Sequence, residues 1–204
     1  MSRSFGLPRG WRAVVGCAVV AVAIVLAGCA TEPQAPQVPP SAPVWVVGDS
    51  LATGTGFSVF DPRPYVWGVG AAGFTSGANS TILGNTTQQL TTNSARPLTM
   101  LVVGGVNDLA INATIAQITT QMAAFEAAMT KRGITVVWVK EPGWSRADQM
   151  LPIYQWQETR AHWIDCLYAK GPNMPGDGDH PFSYTDFGAC VGNKLRVMPG
   201  IRLS

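Results

Sequence analysis

Residues 44–50 read Val-Trp-Val-Val-Gly-Asp-Ser, a short apolar run that ends in a glycine and two polar side chains. Valine and tryptophan favour strands, and a run without polar alternation is typical of a strand buried on both faces of a parallel sheet. Asp49 and Ser50 follow where that strand would end. Because α/β sheets bind ligands beyond the carboxyl ends of their strands, this stretch predicts both a buried strand and a place for chemistry.

Similar apolar runs recur downstream. They are Tyr65–Val69, Thr99–Val103, Ile134–Val139 and, more weakly, His162–Ile164. Regularly spaced runs of this kind, separated by longer amphipathic or polar segments, are typical of the strands of a parallel sheet.

Helices are expected between the later strands. Residues 112–132 predict one, since Asn112 is a favourable N-cap, apolar residues recur every three or four positions, and Lys-Arg-Gly ends the pattern. Weaker patterns predict helices over Asp148–Arg160 and Tyr184–Val197, and we assign little regular structure to residues 70–97, which are rich in glycine, threonine and asparagine. Alternating strands and helices predict an α/β fold, a three-layer sandwich with a mostly parallel five-stranded sheet.

The start of the chain has the pattern of an export signal. Residues 1–12 contain three arginines and no acid, residues 13–27 are apolar or glycine, and Leu26-Ala27-Gly28-Cys29 resembles the bacterial lipobox. We therefore predict a signal peptide over residues 1–28 and acylation of Cys29, which would anchor the protein in the membrane on the outer face of the bacterial cell envelope. The alternative is an ordinary signal peptide with an accidental cysteine.

The segment after Cys29 is predicted to be a spacer. Residues 31–43 contain five prolines and few bulky apolar side chains, which favours an extended polyproline-like linker over residues 29–43. The functional domain is then expected over residues 44–204. Without residues 1–28 the chain has 11 Lys and Arg against 12 Asp and Glu, so we expect no nucleic-acid partner. We also expect a monomer.

Two cysteines remain in the predicted domain, Cys166 and Cys190. An even number of cysteines in an exported chain favours a disulfide, and buried thiols are the alternative.

Ser50 is a candidate nucleophile, because a serine after a parallel strand lies near the N–H groups of the following turn. Of the two histidines in the sequence, His180 follows Asp177 by three positions in a turn-like loop, so Asp177 could orient His180 as the base. A helix cap at Ser50 and a polar surface turn at residues 177–181 are the alternatives. We expect His162, in a predicted strand, to be structural.

Two further segments offer hydrogen-bond donors at the same edge. Gly104-Gly105-Val106-Asn107-Asp108 follows the third predicted strand, and the amide of Asn107 could hold an oxyanion. Gly70-Ala71-Ala72-Gly73 follows the second, and a glycine there allows close approach of a backbone N–H to a substrate. A turn and a flexible loop, respectively, are the alternatives.

The order of these groups along the chain resembles that of the SGNH (GDSL-type) hydrolases, and the resemblance covers about residues 44–197. It implies the flavodoxin-like fold of that family. The resemblance implies that Ser50 is the nucleophile and an oxyanion donor, with Gly73 and Asn107 as further donors and Asp177 and His180 completing the triad. Many members have an asparagine five residues before the glycine, where this chain has Gly68. The α/β-hydrolase pattern fits less well, because Gly-Asp-Ser-Leu-Ala lacks its second glycine.

The sequence therefore predicts a serine ester hydrolase for short-chain acyl or acetyl esters, of cell-envelope carbohydrates or glycolipids, without metal or other cofactor. An envelope O-acyltransferase with the same triad and a non-catalytic binding lipoprotein remain alternatives. Trp138 and Trp144 flank residues 140–143 and are weak candidates for stacking on a sugar, with core or loop packing as the alternative.

Overall fold

Strands and helices alternate along the part of the chain that the computed structural model describes, residues 40–52, 57, 63–75, 81–142, 146–167 and 183–204. The strands are β1 (Val44–Gly48), β2 (Tyr65–Gly68), β3 (Thr99–Val103), β4 (Thr135–Val139) and β5 (Trp163–Ile164). The helices are α1 (Ile82–Thr92), α2 (Val106–Ala110), α3 (Ile115–Thr130), α4 (Ala147–Glu158) and α5 (Tyr184–Arg196). A single 3₁₀ turn, Ser50–Ala52, follows β1.

The strands form one sheet in the order β2-β1-β3-β4-β5, and every neighbouring pair is parallel. Gly48 lies opposite Gly68 on one side and Val103 on the other, so the three strands end at the same level. The carboxyl ends of all five strands therefore share one edge, and the predicted α/β fold with a parallel sheet is confirmed.

Helices cover both faces of this sheet because its strands are apolar on both faces. Trp45, Met100 and Trp138 lie in a core with buried residues of α1, α3 and α4. Val46 and Leu101 lie in a second core with buried residues of α5. The result is the expected arrangement of helix, sheet and helix layers.

Two helix predictions need correction. A helix, α1, lies within residues 70–97, where Ile82, Thr86 and Leu90 form a buried stripe at four-residue spacing and Thr81 caps the start. Burial of this stripe offsets the weak helix propensity of its threonines and asparagine. The cap of α3 is Thr114, in a capping box with Gln117, whereas Asn112 lies in the preceding turn with φ 61°.

The predicted disulfide is present between Cys166, after β5, and Cys190 in α5. It ties the second helix layer to the edge of the sheet. In the described ranges, no helix has the length and apolarity to cross a membrane. The predicted signal peptide, Cys29 and nearly all of the predicted linker lie outside these ranges.

Candidate active site

The candidate site lies where the chain reverses its direction of travel across the sheet. β1 pairs with β2 on one side and with β3 on the other. Connections that leave in opposite directions open a crevice at the carboxyl edge, which is the usual ligand site of such sheets. Ser50, Gly73 and Asn107 all lie in the segments that follow these three strands.

Asp49 shapes the turn that presents Ser50. Its carboxylate Oδ1 accepts a hydrogen bond from the N–H of Leu51 at 2.9 Å, and its carbonyl accepts one from the N–H of Ala52 at 3.1 Å. Asp49 and Leu51 are buried, whereas Ser50 between them is partly exposed. The turn therefore leaves Ser50, and not its neighbours, partly exposed at the carboxyl edge of the sheet.

The amide of Asn107 joins the segments of Ser50 and Gly73. Its Nδ2 donates to Asp49 Oδ2 at 2.9 Å and to the carbonyl oxygen of Ala72 at 3.1 Å. Both amide hydrogens are thus engaged, which the sequence analysis did not foresee. To donate to an oxyanion, Asn107 must share or release one bond, and the longer bond to Ala72 is the better candidate.

Asp108, the next residue of α2, holds the segment that follows Gly73. Its two carboxylate oxygens accept hydrogen bonds from the N–H of Phe74 at 2.8 Å and from both the N–H and the hydroxyl of Thr75, at 2.7 and 2.6 Å. The carbonyl of Gly73 in turn accepts from the N–H of Ile82, at the start of α1, at 2.9 Å. Adjacent residues of α2 therefore fix the loops after β1 and β2.

Replacing Asp108 with asparagine is expected to destabilise this loop. An amide has one acceptor oxygen, so its NH₂ group would face an N–H donor and leave a buried group unpaired. The free energy of unfolding should fall by about 1–3 kcal/mol, as measured by denaturant unfolding. Asp148→Asn, at an exposed position in the first turn of α4, is the matched control. Equal stability of the two variants would contradict this role for Asp108.

A buried acid that sequence reasoning did not single out lies behind the site. Glu141 follows β4 at the same edge, is completely buried, and accepts a hydrogen bond from the N–H of Val106 at 2.8 Å. Burial raises the pKa of Glu141 well above its ordinary value, and the nearby charge and hydrogen bond of Asp49 raise it further. The signal that could have revealed it is the pair of charged residues, Lys140 and Glu141, directly after the apolar residues Val136–Val139.

Lys140, the neighbour of Glu141, pairs with Glu158 and Asp165 and not with the acids near Asn107. Its Nζ donates to Glu158 at 2.6 Å and to Asp165 at 2.9 Å. Burial lowers the pKa of Lys140, but the hydrogen bonds and charges of these two carboxylates outweigh that effect, and the net direction is upward. Lys140 therefore stays charged and fastens α4 to the segment after β5, while Glu141 is left without this cation.

Trp138 does not offer a ring to a substrate. It is completely buried and packs against Phe74, Phe125 and Trp156, with ring centroids 5.4 to 6.1 Å apart. The core-packing alternative therefore holds for Trp138. Alternate residues of a strand face opposite sides of the sheet, and the ring of Trp138 faces the side that α1, α3 and α4 cover. Trp144 lies outside the described residues.

The structure links the segments of Ser50, Gly73 and Asn107 at one edge of the sheet, because Asn107 hydrogen-bonds to Asp49 and to Ala72. Asp177 and His180, the remaining candidates, fall between Leu167 and Ser183 and lie outside the described residues. His162, expected to be structural, immediately precedes β5, and its carbonyl accepts from the N–H of Trp138 at 3.1 Å.

Comparison with models of known protein families and with curated proteins finds no match for this chain. The function of the protein is therefore inferred from the fold, from the contacts around Asn107 and from the sequence motifs.

Proposed function

We propose that the protein is a serine ester hydrolase that works through an acyl-enzyme on Ser50. The observation that carries the proposal is the bridge made by Asn107, whose amide bonds to the residues directly before Ser50 and directly before Gly73. This bridge supports a site in which the hydroxyl of Ser50 and three oxyanion donors act together, at the edge of the sheet where ligands usually bind.

In the proposed reaction, Asp177 orients His180, and His180 takes the proton of Ser50 as its hydroxyl attacks the ester carbonyl. The backbone N–H groups of Ser50 and Gly73 and the amide of Asn107 hold the developing oxyanion. His180 then protonates the leaving alcohol, and water releases the acid from the acyl-enzyme. Each oxyanion donor typically contributes on the order of 10²–10³ in turnover.

The surface beside the crevice supports short acyl chains as substrates. Near the start of α1, which follows the Gly73 loop, the exposed positions are Gly84 and Gln88, and neither is apolar. A long acyl chain needs apolar surface to cover it, and this helix gives its apolar stripe to the core. Short-chain or acetyl esters of envelope carbohydrates or glycolipids are therefore the proposed substrates of a lipoprotein anchored through Cys29.

The proposal is tested by labelling the full-length protein in detergent with a serine-reactive phosphonate and by assaying p-nitrophenyl esters from acetate to palmitate. We expect the label on the peptide that contains Ser50, and turnover that falls as the acyl chain lengthens. Labelling should slow in the presence of acetate ester, since both occupy one site. A label on another serine, or no label and no hydrolysis of any ester, would overturn the proposal.

A further inference from the structure

Glu141 lies between the turn that contains Ser50 and the start of α2, which contains Asn107. In the proposed reaction these two segments have to keep a fixed distance. One oxygen, Oε2, accepts from the N–H of Val106, the first residue of α2 and the neighbour of Asn107. The side chain of Asp49, the neighbour of Ser50, lies within hydrogen-bonding reach of the same carboxyl group. The other oxygen, Oε1, has no N–H or O–H donor in the described part of the chain.

Two carboxylates cannot hydrogen-bond each other unless one of them holds a proton. The charged groups that act on Glu141 among the described residues are Asp49, after β1, and Asp108, in α2, both acids. From β4 the adjacent Lys140 turns to Glu158 and Asp165, and from α4 Tyr154 donates its hydroxyl to the backbone carbonyl of Glu141. Two buried acids in contact repel each other when both are charged, so the arrangement is more stable when one of them holds a proton.

Glu141 is the better holder of that proton. Asp49 already accepts two hydrogen bonds, from the N–H of Leu51 and from the amide of Asn107, and such bonds favour the charged carboxylate. Glu141 accepts only one, from Val106, and is completely buried. Burial without further donors favours the neutral form.

We propose that Glu141, in its protonated form, is a positioning residue of the oxyanion site: it donates to Asp49 and accepts from Val106. This inference rests on the proposed function for its catalytic meaning. Glu141, which lies outside the sequence motifs, would then hold the turn of Ser50 against α2, the helix of Asn107. Loss of the proton would place two negative charges side by side in a dry site and push these segments apart.

The test compares Glu141→Gln and Glu141→Ala in the full-length protein. Glutamine keeps both bonds, because its carbonyl accepts from Val106 and its NH₂ group donates to Asp49, and it cannot ionise. Alanine removes both. At neutral pH we expect alanine to lower kcat for a short ester by roughly tenfold or more with little change in KM, and glutamine to restore kcat to within about threefold of wild type.

The pH profile separates positioning from simple stabilisation. In the wild type kcat should fall as the pH rises through the raised pKa of Glu141, and this alkaline limb should be missing in Glu141→Gln. Glu126→Gln, at a half-buried position of α3 whose carboxylate lies 3.6 Å from Arg160, is the matched control and should keep the limb. Equal kcat losses for glutamine and alanine, or an unchanged limb in Glu141→Gln, would overturn the proposal.

A second readout does not depend on activity. A carboxyl whose pKa is raised on folding contributes stability that is present below its ordinary pKa of 4.5 and is lost as the pH rises to the folded value. The thermal midpoint of the wild type should therefore fall with rising pH relative to that of Glu141→Gln. If no ester is hydrolysed but the wild-type midpoint falls with pH relative to that of Glu141→Gln, the proposed function fails and the proton on Glu141 stands. If the difference between the two midpoints is the same at every pH, Glu141 does not hold the proton.

Discussion

Ester hydrolysis is expected to fall to near background when Ser50 is replaced by alanine, a loss on the order of 10⁶ in kcat. The hydroxyl forms the acyl bond in the proposed reaction, so its removal leaves the oxyanion donors without a covalent step to assist. The hydrogen bonds that define the turn run from the N–H groups of Leu51 and Ala52 to Asp49, and both survive the substitution. The loss should therefore appear in kcat and not in the thermal midpoint.

The measurement is kcat on the best short-chain ester, with the thermal midpoint recorded for each variant. Ser94→Ala is the matched control, since Ser94 is exposed in the turn before β3, at the opposite edge of the sheet. It should keep wild-type kcat. If Ser50→Ala retains more than about a hundredth of wild-type kcat, Ser50 is not the nucleophile, because an oxyanion donor alone has effects of that size.

The strands were predictable because burial on both faces leaves no polar alternation to obscure them. The run Ile134–Val139 became β4 at Thr135–Val139, and the weak run at His162–Ile164 became the two-residue β5. α1 was missed because its buried stripe contains only two large apolar residues, Ile82 and Leu90, with Thr86 between them, in a sequence rich in threonine and glutamine. Its stability depends on Ile82 and Leu90 finding the core, and local propensity does not report that contact.

The candidate site was partly predictable from the same rule. In a parallel sheet the residues after each strand meet at one edge, which is why Ser50, Gly73 and Asn107 were expected to converge. The rule does not say where a side chain points. Glu141 follows β4 just as Ser50 follows β1, yet it is buried, because α4 packs over it and Tyr154 donates to its carbonyl at 2.6 Å. Such burial depends on how the next helix packs against the sheet, which the local sequence pattern does not report.

Asn107 shows a second limit of the sequence. Its residue type and position predicted a donor for an oxyanion, and its contacts show that the donor is already bonded to Asp49 and Ala72. The asparagine therefore holds the crevice together before any substrate arrives. A preorganised donor of this kind needs little rearrangement, since only the 3.1 Å bond to Ala72 has to yield.

Replacing Gly48 with alanine is expected to unfold the domain or to lower its free energy of unfolding by about 4 kcal/mol or more. A Cβ on Gly48 would lie 1.8 Å from the carbonyl oxygen and 2.8 Å from the carbonyl carbon of Val103, and both are backbone atoms of β3. Backbone of a central strand cannot move aside as a flexible side chain can. The φ of 155° adds strain for any residue with a side chain.

This clash falls where β1 passes into the Ser50 turn. The carbonyl of Val103 also accepts from the N–H of Asp49 at 3.3 Å, and the carbonyl of Gly48 accepts from the N–H of Val69 at 3.0 Å. Pushing β1 away from β3 would break these bonds and displace Asp49, so activity should be lost even in a fraction that folds. Gly70→Ala is the matched control, because a Cβ there meets no atom within 4 Å. Denaturant unfolding of both variants measures the difference, and a shared midpoint would mean that β1 and β3 do not pack this closely at Gly48.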